Sequence, residues 1–173
     1  MLTEKHALAL LKKHSTTTVA YKKIVAHSKA VQKCALSLAK NHPKADRSFI
    51  ATAALLHDIG RFACPPHSKE NAIWHGVVGA RILRKEKLPK YALLVERHVG
   101  SGITKIEARK YGLPVKSYLP RSIEEKIVCY ADSLIFRTRR GTLQEVLDRY
   151  HREVGISLVK RTEKLAREIE QKH

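Results

Sequence analysis

The sequence lacks the features of a disulfide-stabilised or membrane-spanning protein. It holds only three cysteines, Cys34, Cys64 and Cys129, an odd number without CxxC spacing, which favours reduced, buried thiols. No run of about 18 apolar residues occurs, and the first six residues do not have the pattern of a secretory signal. We therefore expect a cytoplasmic protein that has no membrane partner.

Acidic residues are also scarce, which leaves the chain strongly basic. Lys and Arg number 34 against 16 Asp and Glu, a formal charge of +18. Residues 1–60 hold 10 basic and 3 acidic groups, residues 61–120 hold 12 and 4, and residues 121–173 hold 12 and 9. Such a field attracts polyanions, either nucleotides or nucleic acid. The alternative is a highly charged solvated surface, with which the scarcity of Asn and Gln agrees.

The sequence predicts an all-α fold of about seven helices. Helical periodicity, capping signals and breakers recur, whereas no segment shows convincing strand alternation. A chain of 173 residues with 43% hydrophobic content suits one domain with a buried core, residues 1–173. Seven predicted helices cover about residues 4–13, 17–40, 46–58, 70–85, 90–99, 122–137 and 142–171, and a short additional one covers about residues 104–112.

The long C-terminal helix, residues 142–171, is predicted to be structural. Pairs four residues apart, such as Glu145 with Arg149, support an exposed charged face. Its apolar positions pack either on the domain or on a second copy of the chain, so a homodimer stays open.

Six histidines and aspartates interrupt the apolar helices at separate places. His57 and Asp58 end a helix that is apolar on every side, before Gly60, which fits a helix C-terminus. A buried carboxylate needs a cation or strong hydrogen bonds, which favours a ligand role for Asp132. A lone histidine on an apolar stripe, such as His27, is more often a hydrogen-bonded core residue. If the six converge, they form a complete metal site, and the six are His27, His57, Asp58, His75, His98 and Asp132.

This pattern resembles that of the HD-domain superfamily of metal-dependent phosphohydrolases over about residues 20–140. Residues 53–61 (AALLHDIGR) are similar to its central motif, and residues 75–80 (HGVVGA) are similar to the segment in which a third histidine precedes a Gly-Ala pair. Within the superfamily, the sequence most resembles small single-domain members, such as symmetrical dinucleoside tetraphosphate hydrolases and archaeal relatives. The resemblance implies a compact HD-domain helical bundle.

The same resemblance implies a binuclear metal centre. His27, His57, Asp58 and Asp132 would hold one ion, and Asp58 would bridge to a second ion held by His75 and His98. Imidazole and carboxylate ligands suit iron, manganese, nickel, cobalt or zinc rather than calcium. The implied activity is hydrolysis of a nucleotide-type phosphoester or phosphoanhydride by a metal-activated water, with Asp58 and His57 as the catalytic residues.

Four residues are candidates for substrate binding. Arg61 and Lys69 could bind phosphate, with solvation at the surface as the alternative. Ser101 and Gly102 follow His98, and their backbone could line the substrate mouth, although Gly102 fits a simple turn equally well. Residues 103–121 are an additional lid-like segment. The Gly-Tyr-Pro motif of the cyclic-dinucleotide phosphodiesterase branch is absent from the sequence.

Two other functions compete with this hypothesis. The basic charge and the run Arg137, Arg139 and Arg140 favour a nucleic-acid-binding protein or an RNA-processing phosphodiesterase. However, no stretch interleaves aromatic with basic residues, and the motifs of common RNA-binding modules are absent. A non-catalytic metal-binding regulatory module is the third hypothesis, and the intact set of six candidate ligands argues against it.

Overall fold

Helices make up most of the structure, a computed structural model that describes residues 2–68 and 70–171. The all-α prediction is confirmed, with a two-stranded antiparallel hairpin as the only sheet among these residues. The helices are α1 (Glu4–His14), α2 (Thr18–Leu38), α3 (Arg47–Leu56), α4 (His75–Lys85), α5 (Pro89–Arg97), α6 (Lys105–Lys110), α7 (Ile123–Leu134), α8 (Leu143–Glu153) and α9 (Ile156–Glu170). The strands are β1 (Ile135–Phe136) and β2 (Arg139–Arg140).

Helix α3 lies at the centre of the hydrophobic core. Every residue from Phe49 to Leu56 is buried, and α3 packs against α1, α2, α5 and α7. The Asp46 side chain caps the start of the helix by accepting a hydrogen bond from the Phe49 amide. Because α3 is apolar on every side, it carries His57 and Asp58, which follow it, into the interior.

The predicted C-terminal helix over residues 142–171 is wrong as a single element. Glycine occupies position 155 with φ of +125°, a backbone conformation that ends α8 before α9 begins. Apolar side chains of both helices, including Val146, Leu158 and Ile169, are buried in the core of the same chain. The predicted pair of Glu145 with Arg149 is also wrong, since Glu145 binds Arg139 of β2.

Three other predicted boundaries shift near the candidate ligands. The helix predicted over residues 122–137 ends at Leu134, where the chain enters the β1–β2 hairpin. The helix predicted over residues 70–85 begins with a π-helical segment, Glu70–Trp74, and becomes α-helical only at His75. Helix α5 ends at Arg97, so His98 directly follows it. None of the described helices is long and apolar enough to cross a bilayer.

Gly60 serves close packing rather than a helix C-terminus. It lies in a 3₁₀ segment, Ile59–Ala63, and a Cβ added at this position would lie 1.9 Å from the His75 carbonyl oxygen. No side chain fits between these two backbones. The turn that carries Asp58 can therefore approach the start of α4 closely.

Candidate metal centre

Backbone carbonyl groups orient three of the four candidate histidines. In each, Nδ1 lies 2.7 Å from a carbonyl oxygen. A carbonyl oxygen can only accept a hydrogen bond, so Nδ1 carries a proton and Nε2 is directed at the centre. The pairs are His27 with Arg137, His57 with Ala54, and His98 with Val95.

Asp58 stands between two pairs of histidines. Its Oδ2 atom lies 3.7 Å from Nε2 of His27 and 3.6 Å from Nε2 of His57. Its Oδ1 atom lies 3.3 Å from Nε2 of His75 and 3.6 Å from Nε2 of His98. Each carboxylate oxygen therefore faces a different pair of imidazole nitrogens.

Asp132 completes the first of these groups. Its Oδ1 atom lies 3.0 Å from Nε2 of His27 and 3.4 Å from Nε2 of His57. In two groups of three residues, the ligand atoms of each group lie within 4.8 Å of one another. One group is His27, His57 and Asp132, and the other is His57, Asp58 and His98. All six residues singled out in the sequence thus meet in one cluster.

The donor atoms of this cluster fit a divalent cation. His57, Asp58, His75 and His98 are at most 3% exposed. Among the residues described, Nε2 of His57 and Oδ1 of Asp58 have no hydrogen-bond partner. Buried polar atoms without partners are costly, and a cation would satisfy both of them. Neutral imidazole with carboxylate is a ligand set for transition metals.

Local charge and burial hold Asp58 and His75 in ligand-competent forms. Burial opposes ionisation of Asp58, but the Arg61 charge and the neighbouring His57 hold its pKa well below its usual range. Burial and the Arg61 charge hold the pKa of His75 well below its usual range. Burial lowers the pKa of His27, but the hydrogen bond and charge of Asp132 outweigh it and raise this pKa to about 9. A cation bound here would compete with the His27 proton for Nε2 of His27 and Oδ1 of Asp132.

Arg61 contacts a candidate ligand directly. Its Nε atom lies 2.7 Å from Oδ2 of Asp58. Its Nη1 atom donates to the backbone oxygen of Asn71 at 3.1 Å and to the Asn71 side chain at 2.8 Å. The guanidinium is therefore fixed beside the centre, where it lines the adjoining cavity.

A cavity of about 400 Å³ opens onto the cluster. His27, Asp132, Arg61 and Gly102 line it. The Ser101 hydroxyl pairs with Thr162 in the interior, at 2.6 Å, and a contact of the Ser101 backbone with substrate stays a prediction. Lys69 lies outside the described residues. The predicted lid-like segment contributes Ile103, Glu107 and Tyr111 to the cavity wall.

Part of the cavity wall comes from α8 and α9, for which the sequence predicts a structural role. Arg149 and Tyr150 of α8 and Arg161 of α9 line the cavity. Arg149 donates from Nη2 to the Ser133 carbonyl, and its guanidinium lies 4.5 Å and 4.9 Å from the ring centroids of Phe136 and Tyr150. Its buried Nε has no hydrogen-bond partner in the described parts of the chain. Amphipathic periodicity alone could not reveal which charged positions turn inward.

Comparison with known proteins defines the family. The family model of the HD domain matches residues 24–137, so the chain belongs to the HD-domain family. The chain is similar to an uncharacterized protein of Methanocaldococcus jannaschii, with 45% identity over 137 residues, 76% of this chain and 78% of that protein.

Two further similarities extend the comparison. The chain is 42% identical to a tRNA (cytidine(56)-2'-O)-methyltransferase of Picrophilus torridus over 147 residues, which are 84% of this chain but only 41% of that protein. The chain thus spans about two fifths of the length of that relative. The L. monocytogenes phosphodiesterase PgpH HD domain, solved in complex with Cyclic-di-AMP, matches with a TM-score of 0.55 and 16% identity over 92% of this chain and 93% of that one. This likeness shows the fold.

Proposed function

We propose that this chain is a metal-dependent phosphohydrolase that cleaves a phosphoester or phosphoanhydride of a nucleotide-type substrate. One observation carries the proposal: the two oxygens of Asp58 face separate pairs of histidine nitrogens. A carboxylate in that position suits a bridge between two cations. Membership of the HD-domain family supports the same reaction class.

The proposed ligand sets follow from these pairings. His27, His57 and Asp132 would hold one ion with Oδ2 of Asp58, and His75 and His98 would hold a second ion with Oδ1. Iron, manganese, nickel, cobalt and zinc suit these donors. When bound, such a pair of ions lowers the pKa of a water and stabilises charge on phosphoryl oxygens.

Side chains of the cavity supply the remaining contacts in this proposal. Arg61 orients Asp58 and presents its guanidinium beside the cluster. Arg149, which lines the cavity and is held against two aromatic rings, is placed to bind a substrate phosphate oxygen there. A volume of about 400 Å³ lies in the range of small-ligand sites. That the PgpH domain was solved with Cyclic-di-AMP supports a nucleotide ligand.

An RNA phosphodiesterase is the second candidate. A region similar to this chain forms part of a protein named as a tRNA methyltransferase, and the chain carries a formal charge of +18. Both observations favour an RNA substrate for the same metal centre. The methyltransferase name itself supports no methyl transfer by this chain, which matches only 41% of that protein. A cytoplasmic location and a homodimer stay predictions.

The decisive experiment combines metal analysis with a substrate panel. Protein purified without oxygen should contain close to two transition-metal ions per chain. It should then hydrolyse one class among mononucleotides, dinucleoside polyphosphates, cyclic nucleotides and short RNAs when manganese or ferrous iron is supplied. Metal-free protein that rebinds these ions weakly would overturn the binuclear centre. A fully loaded protein that cleaves nothing in the panel would favour a non-catalytic module.

A further inference from the structure

Helix α2 carries a straight row of lysines on its outer side. The helix contains no acidic residue. Lysines occupy positions 22, 29 and 33 of the helix, Lys40 follows in the 3₁₀ turn Ala39–Asn41, and all four are exposed. At 100° per residue the three lysines of α2 fall within about 20° of one line along the helix, and with Lys40 the row spans about 27 Å. Within the described residues, none of the four lysines forms an ion pair.

The basic surface continues from this row onto the β1–β2 hairpin. Both strands contact α2, and the Arg137 carbonyl accepts a hydrogen bond from His27 of α2. Arg137 and Arg140 are exposed on the hairpin. Between row and hairpin the helix presents small side chains at Ala26, Ala30 and Ser37. We call the whole surface the basic face, made of Lys22, Lys29, Lys33, Lys40, Arg137 and Arg140.

The start of α2, beside the basic face, borders a cavity that adjoins the candidate metal centre. A second cavity, of about 810 Å³, is lined by Ala20, Lys23 and Ile24 of α2. It shares Arg61 and Ala72 with the cavity that opens onto the cluster. The two cavities therefore adjoin at Arg61, beside Asp58. The hairpin end of the basic face also adjoins the centre, because the Arg137 carbonyl accepts a hydrogen bond from the candidate ligand His27.

We propose that the basic face docks the phosphate backbone of RNA and directs the strand to the metal centre. The inference rests on the second candidate function and identifies the surface that would hold its substrate. The basic face has no aromatic residue on which bases could stack, which favours contacts to phosphates rather than bases.

Other partners fit this surface less well. An amphipathic helix that lies on a membrane needs a broad apolar face beside its basic one, but the buried side of α2 packs in the core. A protein partner is usually held by buried aromatic anchors. Near the row, Val19 at the start of α2 is exposed, but it is an aliphatic side chain and not an aromatic anchor. A row of regularly spaced lysines without such anchors favours a polyanion as the binding partner.

Salt-dependent binding tests the proposal. An RNA hairpin of about 12 base pairs, long enough to cover the row, is titrated with the whole chain at several KCl concentrations without added divalent ions. In the variant with both Lys22→Ala and Lys29→Ala, the slope of log affinity against log salt should fall by about 2, and affinity at low salt should fall roughly 10- to 100-fold.

A matched variant separates a docking surface from general attraction. Lys5→Ala with Lys12→Ala removes two exposed lysines at the same spacing on α1, which lines neither cavity beside the centre. Its salt slope should stay close to that of the unchanged chain. Equal losses in both double variants would overturn the proposal, as would binding to phosphatidylserine vesicles or to a DNA duplex in preference to the RNA.

Hydrolysis is scored separately so that the two proposals can fail independently. The unchanged chain is assayed with bis(4-nitrophenyl) phosphate and Mn²⁺, a substrate too small to use the basic face. If this activity is absent while the RNA slope depends on Lys22 and Lys29, the hydrolase proposal fails and the docking surface stands. If hydrolysis is present but the RNA affinity does not depend on Lys22 and Lys29, only the docking proposal fails.

Discussion

Asp58 is the side chain on which both halves of the candidate centre depend. Asparagine keeps its size but replaces one oxygen with a nitrogen that carries two hydrogens and cannot act as a ligand in the same way. We expect Asp58→Asn to lose metal from at least one site. Hydrolysis should fall by more than about 100-fold, because even changes behind metal ligands cost 10- to 100-fold. Metal content by mass spectrometry and kcat/KM measure the two effects.

An exposed aspartate provides the control for this variant. Asp148 lies on α8 and accepts a hydrogen bond from Gln144 at the surface. Asp148→Asn should retain the full metal content and activity. The bridging role is ruled out if Asp58→Asn, still folded by circular dichroism, keeps two ions and normal turnover.

Arg149 is predicted to contact the substrate phosphate. Hydrogen bonds to a charged group contribute about 1.5–3 kcal/mol, so Arg149→Ala should lower kcat/KM by about 10- to 150-fold. Arg152→Ala, at an exposed position on the same helix, should change it less than about twofold. Steady-state kinetics on the substrate found by the panel measure both variants. Equal kinetics for the two would remove Arg149 from the substrate site.

At the scale of elements, we expect the contact between the turn at Asp58 and the start of α4 to be highly sensitive to substitution. Gly60→Ala places a methyl group 1.9 Å from the His75 carbonyl oxygen, so the two backbones must separate. We expect a loss of at least about 3 kcal/mol, at the upper end of the cost of overpacking. Urea unfolding measures the loss, and metal content should fall with it.

A second substitution in the same 3₁₀ segment serves as the reference. Ala63 is exposed, and Ala63→Gly should cost about 1 kcal/mol or less through backbone entropy. A Gly60→Ala protein as stable as the unchanged chain would show that α4 adjusts without cost, contrary to the tight packing described above.

The elements near the ligands could be predicted from sequence where one local signal dominated. The apolar run before His57 defines α3 because no face of that helix tolerates water. The break at Gly155 was missed because charged pairs and apolar positions continue through it in a helical pattern, and the positive φ of one glycine decides the geometry. The hairpin at residues 135–140 was missed because two-residue strands carry no periodicity.

The same limit applies to the candidate site. The six residues of the cluster could be predicted because polar groups inside apolar helices demand partners. Arg149 and Arg161 could not, since they lie on amphipathic helices whose docking angle decides which charged side chains face the cavity. Ser101 shows the same limit, because its position after His98 gave no sign that its hydroxyl pairs with Thr162.

At the scale of the whole molecule, the candidate metal ligands come from distant parts of the chain. The six residues are spread from His27 to Asp132, over more than a hundred positions of the sequence. In the unfolded chain they are far apart, so a cation that binds them all binds the folded state alone. Metal binding should therefore stabilise the whole fold.

Thermal unfolding with and without metal tests this coupling. At a free Mn²⁺ concentration about 100 times the dissociation constant, binding adds about 2.7 kcal/mol of stability, which raises Tm by roughly 5–10 °C for a chain of this size. Calcium, which prefers oxygen ligands, should raise it far less at equal concentration. Asp58→Asn should lose most of the Mn²⁺ effect, while Asp148→Asn keeps it. If both variants respond to Mn²⁺ equally, the ion binds elsewhere and the cluster around Asp58 is not the metal centre.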